Sequence, residues 1–189
     1  MADTATEKKE VLAHIRWMVR LDMPKILAIE NQSFEFPWSE EDFINCLRQR
    51  KIIGMSAEHD DRIVGFMIYK LAKTKICVLN FAVAEKMRRY KIGSQMANKL
   101  IAKLSVQRRT RVTLEISETN LVAQLFFRSL DFHAVSVLRD HYSSAPKSED
   151  AYLMVRRIKP QESKIPETEF VQAEPNIFKR IAKAIHLVV

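Results

Sequence analysis

The residues best placed to do chemistry lie in one stretch, Val83 to Met96, where Lys86, Arg88, Arg89 and Lys91 crowd around Gly93. An apolar run precedes it, and Met96, Ala97, Leu100, Ile101 and Leu104 follow at helical spacing, so the amides of the turn fall at a helix N-terminus. Unpaired N–H groups and the positive end of the helix dipole attract phosphate there. A charge run is by itself more often a solvated face. Gly93 shifts the balance toward a ligand site, because the chain has only three glycines and one falls where backbone must approach a bound group.

Elsewhere single residues carry the chemical options. Glu115 ends an apolar segment, Val112 to Ile116, and a carboxylate there suits either a general base or an edge-facing, salt-bridged glutamate. Asn120 suits the cap of the helix that follows. Arg108-Arg109-Thr110-Arg111 reads as a solvated turn, with nucleic-acid contact the lesser alternative. Cys46 and Cys77 lie in apolar segments and match no Cys-x-x-Cys spacing, so both are expected to be reduced, buried and inert, as in a cytoplasmic protein. His14, His59, His133 and His186 show no ligand spacing, and no metal is expected.

These residues need elements to hold them. Leu21 to Ser33 reads as a helix with Asp22 as its cap, Pro24 in the first turn and Ile26, Leu27, Ile29 and Phe34 at helical spacing. Pro37 and Trp38 make a corner; Ser39 and Asp42 then open a second helix through a capping box, striped by Phe43, Ile44 and Leu47. Ile52 to Glu58, Ile63 to Leu71 and Ile76 to Ala84 form a meander, and Trp17 and Met18 are expected to pack as an opening strand. A helix over Ser94 to Val106, a strand over Arg111 to Ile116 and a helix over Asn120 to Leu130 follow. Two strands, Phe132 to Leu138 and Ala151 to Ile158, are joined by a polar loop containing Pro146. The alternation implies an α/β fold, one mixed sheet with helices on both faces.

With 189 residues, 47% hydrophobic and 29% charged, the chain fits one globular domain with appendages, and disorder is excluded for most of it. No apolar run approaches the ~20 residues that span a bilayer, and the polar opening has no apolar stretch behind it, so a soluble, unexported protein is expected. Thirty-one Lys plus Arg against 23 Asp plus Glu leave +8, which favours an anionic partner. Residues 1–13 read as a flexible segment and 14–159 as the domain. Residues 160–174, with four glutamates and two prolines, read as an acidic linker, and 175–189 as a basic amphipathic helix. That helix is expected to dock on the domain or a neighbouring subunit, with a membrane surface or the ribosome as alternatives.

Arg88-Arg89-Tyr90-Lys91-Ile92-Gly93 resembles the Gln/Arg-x-x-Gly-x-Gly/Ala motif of the GCN5-related N-acetyltransferase superfamily, with Lys91 where glycine is usual. Phe36-Pro37-Trp38-Ser39, Leu79 to Val83, Leu114-Glu115-Ile116 followed by Asn120, and Glu149-Asp150-Ala151 are similar to its RimI-type branch, which acetylates an N-terminal alanine of a small-subunit ribosomal protein. The likeness spans roughly residues 16–158.

The resemblance implies a mostly antiparallel mixed sheet of about six to seven strands, splayed between the fourth and fifth. Acetyl-CoA would enter there, its pantetheine on backbone groups of Phe81, Ala82 and Val83 and its pyrophosphate on amides of Arg89, Tyr90, Lys91, Ile92, Gly93 and Ser94, beside Arg88 and Asn120. Glu115 takes the general base's place. Phe127 stands where the family has the tyrosine that protonates the departing thiolate. Either the thiolate then leaves unassisted or through water, another residue such as Tyr142 donates, or the protein is no transferase. His141 replaces a second family tyrosine. The implied activity is acetylation of a protein N-terminus by direct attack of the amine on the thioester, with no specific DNA binding and no transmembrane segment. The alternatives are a non-catalytic acyl-CoA-sensing or ribosome-associated module, or a transferase for small amines.

Overall fold

The computed structural model describes residues 10–144, 147–158 and 187–188. The strands are β1 (His14–Trp17), β2 (Ile52–His59), β3 (Arg62–Leu71), β4 (Lys75–Val83), β5 (Arg111–Ser117), β6 (His133–Ser144), β7 (Lys147–Arg157) and the short β8 (Leu187–Val188). Among the described residues four α-helices connect them: α1 (Met23–Ser33), α2 (Glu40–Leu47), α3 (Ile92–Ile101) and α4 (Leu121–Ser129). The sheet runs β1-β2-β3-β4-β5-β7-β6, antiparallel except where β4 meets β5.

Strand alternation sends successive residues to opposite faces, and each face has its own core. Phe66, Ile68 and Ala82 pack against Ile26 of α1 and Phe43 of α2, while Met67, Tyr69 and Phe81 face Met96 and Leu100 of α3 and Phe127 of α4. Phe43 and Phe66 are fully buried and meet edge to face, so truncating either to alanine is expected to cost ~3–5 kcal/mol.

The capping box at the second helix forms as expected: the Asp42 N–H donates to Ser39 Oγ, and the Ser39 N–H donates back to Asp42 Oδ2. Asp22 departs from expectation. It makes no side-chain cap on α1 but accepts a two-pronged bond from Arg16 (2.8 Å each) and further bonds from Val19 N–H and Ser56 Oγ. Burial would raise its pKa, but these donors outweigh it and hold the carboxyl below its ordinary value. Arg16 also bonds Glu58, so the cluster fastens β1 to β2 and the entry of α1. Trp17 takes part in β1 yet stays 61% exposed.

Three boundaries also differ. The third helix starts at Ile92 and ends at Ile101, because residues 102–110 fold into a turn closed by a Ser105–Arg109 bridge. The polar stretch around Pro146 is not a long loop: β6 and β7 run through it as a hairpin, with Tyr142 opposite Glu149 and Ser144 opposite Lys147. Leu187–Val188, expected within a helix running to residue 189, form a strand on β4, which suits the β-branched end of the chain and the open edge it meets. Residues 1–9 of the expected flexible segment 1–13, the expected linker 160–174 and most of 175–189 lie outside the described residues. Residues 10–13 are held at the start of α3: Ala13 N–H donates to Gln95 Oε1 and Gln95 Nε2 to Val11 O.

Candidate active site

Among the described residues, the one parallel pair in the sheet's main path, β4 with β5, is the source of the site. β4 and β5 are in register from Lys75–Arg111 to Cys77–Thr113 and then part, β5 continuing against β7. From Val78 onward this edge of β4 faces an opening. The Ala84 N–H donates to Val64 O, so alternation turns the groups of Ala82 toward β3 as well and leaves those of Phe81 and Val83 facing the opening. Of the three backbone positions named from sequence, Phe81 and Val83 turn their groups to this side, where the Val83 carbonyl accepts from Arg88 Nε.

At the far end of β4 the chain turns into α3, whose N-terminal amides at Ile92, Gly93 and Ser94 have no partner within the helix. Gly93 and Ser94 line a cavity of about 400 Å³ together with Val83, Arg88, Arg89 and Phe126 of α4. Lys91 caps the helix with a left-handed backbone (φ 63°), which explains why glycine suits the position; Arg89 is left-handed too (φ 69°). Gly93 is buried with no positive φ, so its place does not require glycine's backbone freedom. The cations divide. Arg88 points inward, donating from Nε to Val83 O and from Nη2 to Ser33 Oγ, and burial lowers its pKa. Lys91 Nζ pairs with Glu10 at 2.9 Å on the surface, and Arg89 is exposed on the cavity wall.

Glu115 lies two residues beyond the last β4–β5 pair, at the mouth of the same opening. Its Oε2 is 2.7 Å from His141 Nε2, with the two side chains 30% and 12% exposed. Sequence spacing gave no hint of this contact. β7 lies between the two strands, and the pair meets because β6 shifts register between Leu138 and Tyr142, with Asp140 at φ 52°. On the same face of β5, Ser117 Oγ donates to Glu149 Oε2 at 2.7 Å, so a second carboxylate borders the mouth.

Phe127 is buried among Phe81, Phe126 and Phe132, all edge to face to it at 4.8–5.8 Å. Asn120 caps α4, its Oδ1 accepting from Ala123 N–H at 3.1 Å. Tyr142 takes its place in the β6–β7 ladder next to His141.

Glu30 was also missed, although a carboxylate on the apolar stripe of α1 beside Ile26 and Ile29 is a readable signal. It is fully buried, accepts from the Trp38 N–H at 2.8 Å and from Asn80 Nδ2 at 3.1–3.2 Å, and so ties the corner between α1 and α2 to β4 one residue before Phe81. Burial pushes its pKa up to about 7 against the pull of both donors.

The sheet thus splits between β4 and β5, with a helix N-terminus at one end of the split and a carboxylate on β5 beyond the last paired residues. The acetyltransferase (GNAT) family matches residues 23–132, and the chain belongs to that family. It is 29% identical over 133 residues to a [ribosomal protein bS18]-alanine N-acetyltransferase of Salmonella typhimurium, a match covering 70% of this chain and 89% of that protein. It is 27% identical over 163 residues to an N-alpha-acetyltransferase of Sulfurisphaera tokodaii, covering 79% and 96%. Among solved structures, the ribosomal-protein-S18-alanine N-acetyltransferase of Escherichia coli superposes with a TM-score of 0.72 at 22% identity, covering 82% of this chain and all of that one. Arabidopsis thaliana NAA60 in complex with a bisubstrate analogue gives 0.69 at 18%, covering 77% and 98%. Among the described residues no helix is long and apolar enough to cross a membrane.

Proposed function

We propose that the protein is an acetyl-CoA-dependent N-terminal acetyltransferase of the cytoplasm whose substrate is the alanine α-amine of a ribosomal protein. The observation that carries this reading is the position of Glu115, at the mouth of an opening whose other end is a ring of helix N-terminal amides. The names of the relatives support the substrate class.

In this reading the amides of Ile92, Gly93 and Ser94 hold the diphosphate with help from Arg89, and the backbone of Phe81 and Val83 holds the amide arm. Bound acetyl-CoA supplies an acetyl group already activated as a thioester. The chain must then free the amine of its proton and keep the two reactants aligned. Glu115 accepts that proton, directly or through water, and His141 fixes the carboxylate toward the mouth. Glu149 adds negative charge where a cationic N-terminus approaches. An acyl-enzyme route has poor support at Cys46, because burial in α2 pushes its thiol up to about 12. Phe127 offers no proton to the departing sulfur, which leaves as thiolate or through water; an ordinary thiol pKa near ~8.5 makes that tolerable.

The missing hydroxyl at Phe127 is also the one feature that favours a second reading, a cofactor-binding module without catalysis. Labelled acetyl-CoA incubated with a panel of N-terminal peptides and polyamines separates the two. Label in an alanine-starting peptide is the expected result, label in polyamines alone would move the substrate to small amines, and CoA binding without transfer would establish the module. Ping-pong kinetics would contradict direct transfer.

A further inference from the structure

The edge of β4 inside the opening is not bare. Leu187–Val188 run parallel to it as β8, with Leu187 opposite Phe81 and Val188 opposite Ala82, and β8 also contacts α4. This is the stretch whose Phe81 and Val83 backbone groups face the opening. A strand edge offers one set of N–H and C=O groups and can satisfy one partner at a time.

We infer that this edge is a docking surface for the chain's own residues 187–188, which compete there with the amide arm of acyl-CoA. The inference rests on the acetyl-CoA reading of the opening. Leu187-Val188 suits the role: the pair is apolar and ends in a β-branched residue, and Phe81 opposite Leu187 is buried, so pairing there gives its outward-facing backbone groups a partner. Parallel pairing with Phe81 and Ala82 sets residues 187–188 on the stretch of β4 that ends at Val83, which lines the cavity at the start of α3. Competition of this kind is reciprocal: cofactor loading releases residues 187–188, and anything that captures the released segment favours loading. The affinity cost follows from occupancy. A strand docked about nine-tenths of the time lowers the apparent affinity for the cofactor about tenfold.

The test uses the full chain and the double variant Leu187→Pro/Val188→Pro, which removes both amides from the strand and forbids the pairing. Calorimetric titration with CoA is expected to show about tenfold tighter binding by the variant. Hydrogen exchange on the wild-type chain gives a measure independent of the variant's folding: saturating CoA is expected to speed exchange at the Leu187 and Val188 amides. Equal CoA affinity in the two proteins, or exchange at 187–188 that CoA leaves unchanged, would overturn the competition while leaving the cofactor reading intact. If neither protein bound CoA, the cofactor reading would fall and the competition with it.

Discussion

His141 Nε2 and Glu115 Oε2 stand 2.7 Å apart although their strands, β6 and β5, are separated by β7. The contact is an ion pair when the imidazole is charged, and the 2.7 Å approach restricts the carboxylate in either state. Either way the glutamate is held at the mouth instead of turning to solvent. Glu115→Gln keeps the volume and loses the basicity, so turnover is expected to fall ~100-fold or more while CoA affinity stays nearly unchanged. Steady-state kinetics with calorimetry checks both halves. Wild-type turnover in the variant would remove Glu115 from the mechanism.

If His141 acts by positioning Glu115, its own removal matters only while the carboxylate is present. His141→Phe is expected to lower kcat ~10-fold in the wild-type background and to have almost no further effect in Glu115→Gln. A double-mutant cycle reads that coupling directly. Additive losses would mean that His141 works elsewhere, for example on the peptide.

Glu30 gives the fold a pH dependence opposite to that of an ion-paired carboxylate. Its pKa rises from 4.5 to about 7 on folding, so its contribution to stability is fully present below about 4.5 and is lost as pH rises through about 7. The full effect is up to roughly 3 kcal/mol. Glu30→Gln removes the buried charge, and its amide can donate to Asn80 Oδ1, a buried atom with no hydrogen-bond partner in the structure. Urea unfolding at a series of pH values is expected to show the variant more stable than wild type at pH 8 and the difference shrinking toward pH 5. A constant difference would show that Glu30 does not titrate in this range.

Local signals carried most of the fold into the sequence. Ser39 and Asp42 are three residues apart and cap as read, and the alternation of Phe66, Met67 and Ile68 assigns the two faces of β3 without any distant information. Asp22 was misread because Arg16 and Ser56, the partners that take its carboxylate from the helix, come from other strands. The same limit applied at the site. The basic turn and its glycine were visible, but Arg88 turning inward to Val83 and Ser33, and His141 reaching Glu115 through a register shift, depend on how separate strands align. The missing hydroxyl at Phe127 points to Tyr142 as a candidate in the sequence, and the register shift that brings His141 to the carboxylate is not visible there.

Lys91 joins two effects that substitutions can separate. Its left-handed backbone disfavours any side chain with a Cβ, and its ammonium adds charge near the cavity while pairing with Glu10. Lys91→Ala and Lys91→Gly both remove the charge and the surface pair, but only glycine relieves the backbone. Lys91→Gly is therefore expected to be more stable than Lys91→Ala by ~1 kcal/mol, measured by urea unfolding without ligand. CoA affinity should change by no more than about threefold in either variant, because the amides of Ile92, Gly93 and Ser94 remain. Salt should weaken binding less steeply in both than in wild type, since one exposed cation is gone. Equal stability of the two variants would mean that the turn relaxes out of the left-handed region in solution, and an unchanged salt slope would place Lys91 outside the field of the bound phosphates.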